Sequence, residues 1–279
     1  MKLVLGALVV LGACGPSGRN ELPVDAAHGG SGDDATISPT DDSRVYAHSG
    51  NKLYKIDTQS LVPIEIGTMS GLGTQSLTDL AIDKDDQMIG ITLDKLYSID
   101  GTTGAATLIR DLSASAQGFT SLSFAPRDLT DPNSEDILVS ANSSGDIFEI
   151  DPATGDATKL GSYGTLPAGR VGSSGDLIAV RGLGIYATVN VGTDATTQDY
   201  LAKIDPGTWT AHPIGTGTGF NDIFGLGYWA GTIYGFVAMD GTAGKIITID
   251  PNTGAGTEVL GGAIRWYGAG VATDAPILL

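Results

Sequence analysis

Catalysis by a serine or cysteine nucleophile needs a base within reach, and this chain offers few. It has three histidines and one cysteine. His28 falls in a segment without apolar periodicity, His48 in an expected hairpin turn, and His212 in an expected outer strand. None is placed to activate a nucleophile. Carboxylates are plentiful, with 32 Asp and Glu against 15 Lys and Arg. A pair about 5–10 Å apart could hydrolyse a glycosidic bond, and Asp79 and Asp222 are the candidates for such work. For metals, Asp83-Lys-Asp85-Asp86-Gln87 mimics the opening of a calcium loop but lacks its later Gly and Glu. It reads as a polar turn. The stretch from Arg127 to Asp136 carries Asp128, Asp131, Asn133 and Asp136, which form either a solvated acidic loop or a weak calcium site. No other cofactor is expected. Gly215-Thr-Gly217-Thr-Gly219 opens no helix and is no nucleotide fingerprint.

The net charge of −17 excludes nucleic acid as a partner, because phosphate binding needs clustered Lys and Arg. It equally disfavours an anionic membrane surface. Glycine, 41 of 279 residues, is about twice as frequent as usual. With abundant Thr, Ser and Asp, that composition implies many short strands joined by tight turns.

The first 13 residues form an export signal: Met1-Lys2, then an apolar run from Leu3 to Leu11. Nine helical residues span about 14 Å, less than half of the ~30 Å hydrocarbon core. Leu11-Gly12-Ala13-Cys14 resembles the bacterial lipobox. That resemblance implies removal of residues 1–13 and lipidation of Cys14, hence attachment to the membrane through lipid. Gly15, where Asp would retain the protein in the inner membrane, implies the outer membrane. Residues 14–42 read as a disordered tether with a reach of roughly 30 Å.

Five segments repeat one pattern: Leu53-Tyr-Lys-Ile-Asp57, Leu96-Tyr-Ser-Ile-Asp100, Ile147-Phe-Glu-Ile-Asp151, Leu201-Ala-Lys-Ile-Asp205 and Ile246-Ile-Thr-Ile-Asp250. Apolar and polar residues alternate as in a strand with one covered face. The aspartates stand 43, 51, 54 and 45 residues apart, the period of a β-propeller blade. Each Asp is expected to hold a turn, as in Asp151-Pro-Ala-Thr-Gly155. Asp57-Thr-Gln-Ser60 and Asp205-Pro-Gly-Thr-Trp209 are irregular versions. The second resembles a sialidase Asp-box one residue short, itself a structural turn. The 29 residues after Asp250 suffice for one strand, and the chain enters blade one at its second strand. The expectation is therefore an all-β, five-bladed propeller over residues 43–275. Its blades are four-stranded and antiparallel, the C-terminal strand closes the ring, and a tail follows at 276–279.

These repeats resemble secreted bacterial propellers of the NHL and YVTN type, a likeness that implies the fold and says little of function. Propellers commonly bind ligands where the inner strands begin. Asp79, Ser121, Asp176, Asp222, Arg265, Trp266 and Tyr267 are the candidate ligand-binding residues, with Arg170 a neighbour. The alternative for Trp266 and Tyr267 is that they seal blade one against its neighbours. The expected function is a non-enzymatic envelope lipoprotein whose propeller binds or scaffolds a protein or glycan partner. The alternative is a carbohydrate-active hydrolase or lyase using channel carboxylates.

Overall fold

The repeated Leu-Tyr-x-Ile-Asp segments form strands covered on both faces, not on the one face that their alternation suggested: the neighbours Leu53 and Tyr54 are both buried and join different apolar clusters, as do Leu96 and Tyr97. In the computed structural model, which describes residues 44–116, 118–192, 198–238 and 244–277, four of them are the third strand of a four-stranded sheet, and the Leu201 segment is the fourth strand of a five-stranded one. Blade one contains β1 (Val45–His48), β2 (Lys52–Ile56) and β3 (Pro63–Thr68). Blade two contains β4 (Asp79–Ile82), β5 (Met88–Ile91), β6 (Lys95–Ile99) and β7 (Ala106–Asp111). Blade three follows as β8 (Ser123–Pro126), β9 (Asp136–Ala141), β10 (Asp146–Ile150) and β11 (Ala157–Ser162). Blade four has β12 (Thr165–Leu166), β13 (Gly169–Val180), β14 (Gly184–Val191), β15 (Tyr200–Ile204) and β16 (Ala211–Pro213). Blade five has β17 (Ile223–Trp229), β18 (Thr232–Val237), β19 (Gly244–Ile249) and β20 (Gly256–Gly262).

The last strand, β21 (Gly268–Val271), pairs antiparallel with β1, from Val45 opposite Val271 to His48 opposite Gly268. This closes the ring as the residue count predicts. Closure removes the edges that an open sheet would expose. One detail departs from the expected four strands: the two-residue β12 adds a short arm to the start of β13. The length of β13 and β14, with a register break between Ser173 and Leu177, accounts for the 54-residue spacing there.

The five aspartate turns share one geometry. Each Oδ1 accepts the N–H two residues on, at 3.0 Å from Gln59 and 2.8 Å from Thr102, Ala153, Gly207 and Asn252. All five carboxyls are held below the usual range, chiefly by the Ser60 N–H at Asp57, the Thr102 hydroxyl at Asp100, the Thr208 N–H at Asp205 and the i+2 N–H at Asp151 and Asp250. The residue four positions after each Asp is left-handed: Leu61, Gly104, Gly155, Trp209 and Gly254. The irregular turns thus keep the conformation without glycine. Several turns are also joints. Beyond the turn of blade two, Ala106 N donates to Ser70 O of blade one at 2.8 Å, and Gly256 N of blade five to Thr218 O of blade four at 2.9 Å.

Burial falls from the axis outward. β4, β8 and β21 are buried throughout, whereas β3, β7 and β20 show much of their length to solvent. Those outer strands carry charged cross-strand pairs, such as Lys52–Glu65 and Lys245–Glu258, both 2.7 Å. Charges at an edge discourage pairing with another chain. The apolar side chains gather in clusters between neighbouring blades, not inside single sheets.

Candidate functional site: the axial channel and its mouth

The innermost strands β21, β4, β8, β13 and β17 lie side by side around the axis. Aligning them places Gly268, Asp79, Ser121, Asp176 and Gly225 at equivalent positions, each followed by Ala269, Leu80, Leu122, Leu177 or Leu226. The hydrogen bonds obey the same alignment. Asp79 accepts Leu80 N at 2.9 Å and Leu122 N of the next blade at 2.7 Å. Asp176 accepts Leu177 N at 2.6 Å and Leu226 N of the next blade at 2.7 Å. Ser121 accepts Ala141 N at 2.9 Å. Asp79 and Asp176 are both 0% exposed, and their side chains come within hydrogen-bonding reach of each other. Burial pushes this pair well above the usual carboxylate range.

One residue upstream, Thr78, Thr120, Gly175, Phe224 and Tyr267 line a cavity of about 430 Å3. Ser76, Leu77, Leu93, Phe119 and Ser174 complete its wall, with Leu93 61% exposed. All five blades contribute to this mouth, and among the described residues no charged side chain lines it. Hydroxyls and three aromatic rings are offered instead. Its floor is sealed by the buried Asp79, Ser121 and Asp176.

The opposite end of the channel is closed by a charged network. Arg181 donates to Asp136 Oδ1 at 2.6 Å, to Ser134 O at 2.7 Å and to Thr273 Oγ1 at 2.5 Å. Asp136 Oδ2 accepts Thr273 Oγ1 at 2.7 Å and Lys84 N at 3.1 Å. Four blades meet there. Near this end a larger cavity, about 690 Å3, is lined by Arg44, Tyr46, Lys55, Met88 and Trp229 among others. Its Arg44 is neutralised by both Asp86 and Asp274.

Several sequence expectations change in this light. Trp266 is no exposed platform: it is 2% exposed and packs edge-on against Tyr54 and Phe236, centroids 5.4 Å from each. Tyr267 does line the mouth, with the exposed Arg265 guanidinium 5.3 Å from its ring. Asp79, Ser121 and Asp176 form the floor, not the accessible rim. Asp222 stands away from the lining, with φ of 56°, and its charge acts on the buried Asp199. Arg170 is committed to Ser144 O and Asp146.

His48, expected in a hairpin turn, ends β1 and is buried. A Cβ on Gly268 would collide with both its imidazole and the Asp79 carboxylate. Phe119, Phe224 and Ser174 escaped the sequence reading as lining residues. Their signal was available in the inner-strand alignment, one or two residues before each channel position.

Asp136, grouped with calcium ligands, faces the Arg181 cation instead. Asp128 and Asp131 accept N–H bonds from Thr130 and Asn133 at 2.8 Å. Among the described residues no group of three or more His, Cys, Asp or Glu side chains is placed to hold a metal ion. Asp83 holds the expected polar turn, accepting Asp85 N at 2.9 Å and Gln87 N at 2.7 Å. Cys14, the export signal, the tether and His28 lie outside the described residues.

No protein-family model matches the chain, and no curated protein matches it. Solved structures do. A protein of unknown function from Bacteroides thetaiotaomicron matches with TM-score 0.50 and 14% identity, over 70% of this chain and 54% of its own. A putative TolB from Agrobacterium tumefaciens gives 0.48 and 14%, over 85% and 83%. BamB from Moraxella catarrhalis gives 0.36 and 13%, over 80% and 71%. The chain spans about half the length of the first of these. Identities this low speak to the fold alone, and the chain is in class a five-bladed β-propeller with a sealed axial channel.

Proposed function

We propose that the protein is a non-enzymatic binding or scaffold module of the bacterial envelope, held by lipid on Cys14. Its mouth takes up an apolar or aromatic side chain from a protein partner. The uncharged wall that all five blades build carries this reading, since apolar pockets with a few hydroxyls suit such a guest. Orientation adds support. Arg44, where the N-terminal segment joins the propeller, bonds to Lys84 O and Asp86, at the end of the channel opposite the mouth. A body joined there to its anchor keeps the mouth clear of the attachment point, at the periplasmic or surface face of the outer membrane.

A glycan partner is favoured by Tyr267 and the hydroxyls of Thr78 and Thr120, which could stack on and bond to a sugar. The hydrolase or lyase reading has less support. Glycosidases hold two accessible carboxyls about 5–10 Å apart, whereas Asp79 and Asp176 are sealed, close together and bonded to backbone N–H groups.

A photo-crosslinking residue at Thr120, compared with one at Thr102 on the opposite end, tests the proposal in envelope. A partner captured only from Thr120, and lost with Phe224→Ala, is the expected result. Equal capture at both positions would sink it. A bound polysaccharide that shortens with time, unless Asp79 is replaced by Asn, would establish the enzyme instead.

A further inference from the structure

The Asp79–Asp176 pair has a consequence that binding at the mouth does not require. Two inner strands from non-adjacent blades, β4 and β13, each send a carboxyl to the axis. Both are 0% exposed, and each already accepts one N–H from its own strand and one from the next blade. Four N–H bonds stabilise negative charge, but they are spread over two carboxyls in contact.

Among the described residues, nothing that faces the pair supplies a full positive charge. From β1 comes His48, whose Nδ1 donates to Ser49 O at 2.9 Å. Burial drives its pKa down to about 4, so the ring is neutral. From the loop before β12 comes the buried Tyr163 phenol, which burial also keeps neutral. Ser121, just before β8, offers only a hydroxyl, and β21 and β17 present Gly268 and Gly225. Asp176 feels burial, two backbone bonds and Asp79, and no lysine or arginine. Two anionic carboxylates in contact and fully buried are not sustainable in such a place.

We propose that Asp79 and Asp176 hold one proton between them, a buried proton-binding site that clasps blade two to blade four across the axis. The proton belongs to the pair and not to either residue. Donated from one carboxyl to the other, that proton links strands that share no backbone ladder. Releasing the proton replaces that bond with repulsion.

The sign follows from linkage. The native pair keeps a proton that the unfolded chain releases above about pH 4. Stability is therefore full below that pH and falls as pH rises, until the native pair itself ionises. Two other buried groups must be kept apart from this effect. His48, depressed to about 4 from 6.5, costs stability as pH falls below about 6.5. Asp199, raised to about 6, loses its contribution as pH climbs to that value. Both are silent above about pH 7, and the tyrosines enter only above about pH 9.

The test is urea unfolding of the full chain, with chelator, between about pH 7 and pH 9. Wild type is expected to lose up to about tenfold in its folding equilibrium constant per pH unit, the limit for one proton. Asp79→Asn and Asp176→Asn should abolish that slope. Their absolute stability will fall, because an amide nitrogen cannot accept the Leu80, Leu122, Leu177 or Leu226 N–H. The slope is therefore the readout. A flat wild-type profile, or the wild-type slope retained in both variants, refutes the shared proton. So does a slope that vanishes when millimolar calcium replaces the chelator, since a cation would then hold the pair. Should neither variant fold, infrared spectroscopy of wild type at about pH 8 decides the matter. A protonated carboxyl C=O band supports the clasp, and its absence overturns it.

Discussion

Removing the Asp136 carboxylate should unfasten the closed end of the channel. In Asp136→Ala, Arg181 loses its ion pair at 2.6 Å while remaining only 11% exposed in its side chain. Two further donors, the Lys84 N–H and the Thr273 hydroxyl, lose their acceptor. Breaking a buried pair from one side costs about 3–5 kcal/mol, because the surviving charge is left without compensation. Each orphaned neutral donor costs about 1–3 kcal/mol when water cannot reach it, but these costs overlap and do not simply add. We expect about 4 kcal/mol, or roughly 10 °C in melting temperature for a body of this size. Urea unfolding should show the midpoint falling, and Arg181→Met alone should cost a similar amount. The double variant should be about 2 kcal/mol more stable than the sum of the two losses implies, since neither charge is then stranded. Strict additivity, or a loss below about 1 kcal/mol for Asp136→Ala, would refute the network as the fastening of four blades.

Trp266→Ala should destabilise the propeller by about 3–5 kcal/mol, and Trp266→Phe by about 1–2 kcal/mol. Neither should weaken partner binding once the folded fraction is corrected for, a comparison of calorimetric stability with titrated affinity. Calcium at residues 128–136, the remaining cofactor proposal, predicts a lower melting temperature in EDTA. With Asp136 committed to Arg181, we expect a change below about 1 °C by differential scanning fluorimetry.

The architecture was legible because the repeat encodes it locally. Asp100, Asp151 and Asp250 with their following Gly announce turns, and the β-branched and aromatic run from Thr232 to Val237 announces a strand whose bounds match. The remainder depended on long-range register. β12 is two residues long and exists only by pairing with Arg170 and Gly169, so no periodicity could reveal it. Trp266 looked available because it lies in a polar stretch near a strand start, yet Phe236 and Tyr54 from two different strands enclose it. His48 stands only two residues before a turn glycine, and its burial comes from Gly268, 220 positions away. Asp79 and Asp176 were found as channel residues, but their contact is a property of a ring narrow enough for opposite carboxyls to meet.

The closing strand has a mechanical consequence. If membrane lipid holds one end of this molecule and a partner draws on the other, the load enters the propeller at Arg44 and passes directly into β1. That strand is not an edge, because β21 flanks it on one side and β2 on the other. Pulling it out along its length must shear two ladders together, whereas an edge strand would surrender one. A chain that entered at an outer strand such as β3 would peel away rung by rung. Pairing the entering strand with the last one turns the ring's seam into its grip.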